Sequence, residues 1–157
     1  MNVGDMAHPF SLMAAKGENV NVGDLIGSGP VVLLFIPFAF TSVCTTELCR
    51  VGAEWPQWKV PNGHVFGISA DSPFVTSRWR AEESIPFPVL SDFNRKVARA
   101  YGVLDEDLMG PPGVAKRSAF VIDTDGRIAY RWVSDDPGVE PDYDEIRSAV
   151  EGLSSTT

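Results

Sequence analysis

An α/β fold, a mixed central sheet flanked by helices and entered through an N-terminal β-hairpin, is what this sequence predicts. Three observations carry that prediction. Val31 to Ile36 is an unbroken apolar run rich in β-branched residues, the pattern of a central strand covered on both faces. Strand-like and helix-like segments then alternate, which implies right-handed parallel crossovers. Late in the chain, Asp123-Thr124-Asp125-Gly126 separates two strand-like runs, a hairpin signal that makes the sheet mixed.

Taken in order, Phe10 to Met13 and Val20 to Val22 flank Lys16-Gly17-Glu18-Asn19, a short hairpin with a Gly-bearing turn. Gly23 to Ser28 reads as a brief helical turn before Gly29-Pro30. The central strand stops at Pro37, which has no N–H for the ladder. Val43 to about Trp58 is a helix with Leu48, Val51 and Trp55 on its core face, and Pro56 is expected to stop or kink it. Val65 to Ser69 is a second strand. Asp71-Ser72-Pro73 caps a helix over Phe74 to Glu83, and Val89-Leu90 is a third, short strand. Ser91-Asp92 caps a helix over Asn94 to Tyr101, closed by Gly102. Leu104 to Gly113, with Gly110-Pro111-Pro112-Gly113, has no period and reads as loop. Arg117 to Ile122 and Arg127 to Val133 form the late hairpin. A loop from Ser134 to Pro141 leads to an amphipathic helix, Tyr143 to Leu153, with Ser154 to Thr157 frayed.

The 157 residues suit one domain, 1–157, with 44% hydrophobic and 22% charged residues. No apolar run approaches the ~20 residues that span a bilayer. Residues 1–30 carry no basic-then-apolar secretory pattern, so a cytoplasmic protein without membrane attachment is expected. The net charge of −8 argues against nucleic acid as a partner, because that affinity rests on clustered Lys and Arg. Runs such as Ser134-Asp135-Asp136 and Asp142-Tyr143-Asp144-Glu145 read as solvated surface.

Two cysteines five positions apart are not a secreted disulfide framework, which leaves catalysis, redox sensing or metal binding. A zinc site would need Cys44, Cys49, His8 and His64, but the histidines stand in unrelated segments, so no metal is expected. A thioredoxin-type dithiol wants Cys-x-x-Cys, and position 47 is Glu. Cys44 itself falls near a helix start, where a thiolate is electrostatically favoured.

Pro37-Phe38-Ala39-Phe40-Thr41-Ser42-Val43-Cys44 fits the PxxxTxxC pattern, and with it the chain resembles the peroxiredoxins, which have a thioredoxin-like fold. The similarity runs over nearly the whole chain. VGDMAHPFSL resembles the family's opening hairpin and KRSAFVIDTDGRI its late arginine-bearing hairpin. PFAFTSVC resembles the one-cysteine alkyl hydroperoxide reductase E branch, and the Cys44–Cys49 spacing the bacterioferritin-comigratory-protein branch. The resemblance implies a thiol-dependent peroxidase acting on hydrogen peroxide and organic hydroperoxides.

It also implies roles. Cys44 is the nucleophile. Arg117 is the cation that donates to the sulfur and to the peroxide oxygens, so that its bonds strengthen as the leaving oxygen gains charge. Thr41 supplies a hydroxyl that accepts from the peroxide and donates to the sulfur, and Pro37 walls the pocket. The backbone N–H groups of Val43 and Cys44 complete the substrate site. Glu47, one turn beyond Cys44, holds the Arg117 fork from behind. Lys116, Arg95 and Arg127 read as surface; Phe38, Phe40 and Trp79 read as core packing or subunit contact ahead of the alternative, lining of a pocket. No cofactor is required, because the sulfur carries the electrons. The partners implied are a thioredoxin, a glutaredoxin-like protein or a low-molecular-weight thiol as reductant, and a second copy in a homodimer, with a monomer as the alternative.

A sulfenic acid on Cys44 must be resolved by a second thiol, and Cys49 is the candidate within the chain. On an intact helix the two Cα atoms stand about 8–9 Å apart, beyond the ~7 Å limit for a disulfide. Resolution by Cys49 therefore requires the first turns of the helix to unwind. The alternative is a one-cysteine peroxidase or peroxide sensor in which Cys49 is a spectator.

Overall fold

The computed structural model describes residues 1–58, 63–105, 113–136 and 138–154. Its strands are β1 (Ser11–Ala15), β2 (Glu18–Asn21), β3 (Val31–Phe35), β4 (His64–Ser69), β5 (Val89–Ser91), β6 (Leu104–Asp105), β7 (Val114–Ala115), β8 (Ser118–Ile122) and β9 (Ile128–Val133). Its α-helices are α1 (Ser42–Trp58), α2 (Pro73–Glu82), α3 (Lys96–Ala100) and α4 (Tyr143–Ser154), and a 3-10 turn covers Val22–Asp24. The main sheet runs β2-β1-β5-β4-β3-β8-β9. β3 pairs parallel with β4 and antiparallel with β8, so the sheet is mixed, as the alternation and the late hairpin predict.

β3 is buried along its whole length because each face has its own cover. Val32, Leu34 and Ile36 pack with Cys44, Leu48 and Val51 of α1, Trp79 of α2, and Ile146 and Val150 of α4. Val31, Leu33 and Phe35 pack on the other side with Val97 and Ala98 of α3, Tyr101 and Phe120. The Tyr101 ring meets Phe10, Phe35 and Phe120, and its hydroxyl donates to the His8 carbonyl at 2.7 Å, so its burial leaves no unmet donor. Two glycines seat α1. A Cβ on Gly67 of β4 would stand 2.9 Å from Leu48 Cδ1, and one on Gly52 would stand 2.5 Å from Pro86 Cδ. The middle of α1 is thereby packed closely on β4 and on the Pro86 segment.

Several local expectations shift. The first turn is tighter than the sequence suggests: Glu18 already pairs with Ala15, because Gly17 takes φ +77° and two residues suffice. Pro56 does not stop α1 at the residue before it: it is held inside the last turn, just ahead of the end at Trp58, where little of the helix ladder remains to be lost. α3 begins at Lys96 rather than Asn94, because Arg95 adopts φ 62° and the Asp92 carboxylate accepts from Val97 N (3.1 Å) and Ala98 N (2.8 Å). Leu104–Asp105 is not loop but pairs antiparallel with Val114–Ala115. The rest of that expected loop, residues 106–112, and the expected fraying of residues 155–157 lie outside the described residues. No helix among the described residues is long and apolar enough to cross a membrane.

Candidate active site

Cys44 and Glu47 stand three positions apart in the opening turns of α1 and share the face turned toward the sheet. Arg117 reaches them from a remote part of the chain. The antiparallel register sets Phe35 opposite Ser118, so one step further Arg117 comes level with Ile36, at the end of β3 and under the start of α1. Its carbonyl accepts from Ser134 N at 2.9 Å, which fixes the backbone there.

The guanidinium divides between two partners. Arg117 Nη2 donates to Cys44 Sγ at 2.9 Å, and Nη1 donates to Glu47 Oε2 at 2.6 Å. Cys44 and Glu47 are fully buried and Arg117 is 2% exposed, so these contacts lie out of water, where electrostatic interactions are strong. Burial pushes the Glu47 carboxyl up from 4.5 to about 7; Arg117 pulls it back, and the Glu140 charge adds to the rise. Burial opposes the charge of Arg117, but Glu47 and Cys44 outweigh it and hold its pKa above the ordinary value. Glu47 Oε1 is buried and has no hydrogen-bond partner among the described residues.

The loop before α1 forms the remaining wall. Pro37 is buried, Phe40 is half exposed with φ 64°, and Thr41 is half-buried. Thr41 Oγ1 donates to the Phe38 carbonyl at 2.9 Å, so its hydrogen points into the loop and its lone pairs remain as acceptors. Thr41 O accepts from Thr45 N at 2.9 Å, and the N–H groups of Val43 and Cys44 precede this bond, in the turn that has no intrahelical acceptors. Trp79 closes the other side: it is fully buried, its Nε1 donates to Thr45 Oγ1 at 3.1 Å, and its ring meets that of Phe40 at 6.3 Å. It belongs to the core cluster and also backs the loop through Phe40.

Cys49 is a free, half-buried thiol packed against the same core cluster as Cys44. Its Sγ contacts the Glu83 carbonyl at 3.9 Å, and burial, with the Glu83 charge, raises its pKa. Both cysteines lie within an unbroken α1, so the geometric gap between them is that of an intact helix. His8 and His64 belong elsewhere: the His8 carbonyl serves Tyr101, and His64 stacks on Phe66. Among the described residues no group of three or more His, Cys, Asp or Glu is placed to hold a metal.

Sequence reasoning missed the polar layer behind Glu47. Tyr143 is buried and donates to Glu140 Oε1 at 2.6 Å, while the Arg50 guanidinium lies 4.4 Å from the centre of its ring. The charge of Glu140 acts on Glu47. Tyr143 lies within an acidic run that reads as solvated surface, and nothing local in Asp142-Tyr143-Asp144-Glu145 separates the residue that turns inward. Lys116 does lie at the surface, paired with Asp135 at 2.7 Å.

Comparison with known proteins gives the family and the fold. The model of the AhpC/TSA family matches residues 3–131. The chain is 37% identical over 133 residues to Peroxiredoxin Bcp of Escherichia coli (strain K12), covering 83% of this chain and 84% of that protein. It is 33% identical over 132 residues to Alkyl hydroperoxide reductase E of Mycobacterium tuberculosis (strain ATCC 25618 / H37Rv), with the same coverage. The crystal structure of Peroxidoxin BcpB from Mycobacterium tuberculosis superimposes with a TM-score of 0.82 at 28% identity, over 98% of both chains. The fold is therefore thioredoxin-like.

Proposed function

The chain belongs to the AhpC/TSA family of peroxiredoxins and is a thiol peroxidase of that family, and from this premise we propose how its two cysteines divide the work. Cys44 is the peroxidatic residue. Its thiolate sulfur attacks one oxygen of hydrogen peroxide or an organic hydroperoxide, the O–O bond breaks, and the other oxygen leaves with the electron pair and takes a proton as water or alcohol. Sulfur is oxidised to the sulfenic acid as the peroxide is reduced. The observation that carries this reading is the Arg117 fork, which touches Cys44 Sγ and Glu47 at once in a buried setting. Arg117 stabilises the charge gathering on the leaving oxygen, Glu47 holds the fork, Thr41 accepts from the peroxide, Pro37 shields the pocket, and the Val43 and Cys44 N–H groups bind the substrate.

Cys49 then resolves the sulfenic acid: its sulfur bonds to that of Cys44 and water leaves. The distance across the intact helix means that α1 opens locally first. An external thiol, whether a thioredoxin, a glutaredoxin-like protein or a small thiol, reduces the disulfide and restores both cysteines. The protein acts in the cytoplasm, as a homodimer and as one domain over 1–157.

Mass spectrometry tests the resolving step. After one equivalent of hydrogen peroxide, the wild type is expected to lose two hydrogens as an intramolecular disulfide. Cys49→Ser is expected instead to accumulate a Cys44 sulfenic acid that dimedone traps. A wild type that accumulates the sulfenic acid to the same extent makes Cys49 a spectator.

A further inference from the structure

We propose that Asp71 is a positioning residue for the peroxidatic loop, acting on the reaction through Thr41. Asp71 stands just beyond the C-terminal end of β4, in a segment whose sequence reads as a helix cap. The capping is done by its neighbour: Ser72 Oγ accepts from Val75 N at 3.3 Å. The Asp71 side chain turns to another task. Its Oδ2 accepts from the Ala39 N–H at 2.7 Å and from Ser69 Oγ at 2.9 Å.

Asp71 is itself tied to the ends of two strands. Its N–H donates to Ser69 Oγ at 3.3 Å, and its carbonyl accepts from Ser91 Oγ at 2.6 Å. Ser69 ends β4, Ser91 ends β5, and both are buried. A chain of hydrogen bonds thus runs from the rigid sheet through Asp71 to Ala39. On the other side of the same peptide group, the Phe38 carbonyl receives the Thr41 hydroxyl. The direction of that hydroxyl, and so the direction of its free lone pairs, depends on where residues 38–39 are held.

The loop needs such an anchor. Phe40 sits in the left-handed region at φ 64°, which a side chain of its size avoids unless surrounding contacts impose it. Asp71 supplies the constraint from the sheet side, through the Ala39 N–H.

This inference rests on the reading that Thr41 contacts the peroxide, and its test separates the two. Stopped-flow measures the reaction of reduced protein with hydrogen peroxide, and alkylation by iodoacetamide reports the reactivity of Cys44 toward a reagent that needs no O–O alignment. All variants carry Cys49→Ser, so that Cys44 is the one thiol. Asp71→Ala is expected to slow the peroxide reaction by about 10- to 100-fold, the cost of misplacing a positioned group. Alkylation should change by no more than about 3-fold on the same argument, and Asp71→Asn, which keeps an acceptor for Ala39, should recover most of the loss. In a Thr41→Val background, Asp71→Ala should add less than about 2-fold, because residues acting as one unit are not additive.

Parallel falls in both rates, or losses that multiply with Thr41→Val, overturn the proposal. If Asp71→Ala does not fold, Ser69→Ala removes one of the two donors to Oδ2 and is held to the same selectivity, and equal falls in its two rates overturn the proposal as well. A Thr41→Val protein that reacts at the parent rate removes the underlying reading and this inference together. Normal sensitivity to Thr41→Val with no selective effect of Asp71→Ala removes this inference alone.

Discussion

Arg117→Lys is expected to slow the reaction of Cys44 with hydrogen peroxide by about 10²- to 10³-fold, the scale of removing one preorganised donor from a developing oxyanion. Lysine preserves the charge but not the fork. The guanidinium presents Nη2 to Cys44 Sγ and Nη1 to Glu47 Oε2 from one rigid plane, whereas an ammonium on a flexible stem is a single point. An ammonium satisfied by Glu47 therefore stands away from the sulfur. Arg127→Lys serves as the comparison, because Arg127 Nη1 donates to the Gly4 carbonyl in the N-terminal segment, and it should keep the wild-type rate. Stopped-flow consumption of peroxide measures both. Equal rates for Arg117→Lys and wild type would remove the fork from the account.

Glu47→Ala is expected to cost about 3–5 kcal/mol of stability above pH 7, since it leaves the buried Arg117 without its anionic partner. The wild-type carboxyl also makes stability depend on pH in a defined direction. Burial raises Glu47 to about 7 from 4.5, so between those values the folded protein holds a proton that the unfolded chain has released. Its contribution is then greatest below pH 4.5, falls as pH rises toward 7, and is constant above, by on the order of 3 kcal/mol in all. Glu47→Gln removes this dependence while keeping an acceptor for Arg117. Urea unfolding at pH 5 and pH 8 should show a smaller difference in Glu47→Gln than in wild type. Burial raises Asp92 as well, and it is present in both proteins, so the comparison isolates Glu47. An unchanged pH difference would mean that Glu47 is not the group that titrates there.

Much of the site could be read from the chain because it is contiguous. Pro37, Thr41 and Cys44 lie between an apolar strand and a helix, and Glu47 follows at a spacing that any helix places on one face. Arg117 is a different case. Its arrival depends on the register of β8 against β3, a long-range pairing that no local period encodes, and it was the resemblance to a known family that brought it into the site. The polar layer of Glu140, Tyr143 and Arg50 stayed hidden because an inward-facing tyrosine within an acidic run has the same local pattern as an exposed one. Asp71 stayed hidden because a carboxylate before Ser-Pro reads as a cap until its acceptor is seen to meet the Ala39 N–H. The fold shows the same division. Buried strands and capped helices follow from pattern, but the two-residue turn at Gly17, the left-handed Arg95 and the β6–β7 pairing depend on how the chain closes on itself.

The measurement that bears most directly on the account is the rate at which reduced protein consumes hydrogen peroxide, followed by stopped-flow beside free cysteine and the Cys44→Ser variant. The wild type is expected to react at least about 10³-fold faster than free cysteine, as a buried, fork-supported thiol should, and Cys44→Ser is expected to fall to the level of an ordinary thiol. A wild-type rate no faster than free cysteine, or a Cys44→Ser rate equal to wild type, would contradict the assignment of Cys44 as the peroxidatic residue.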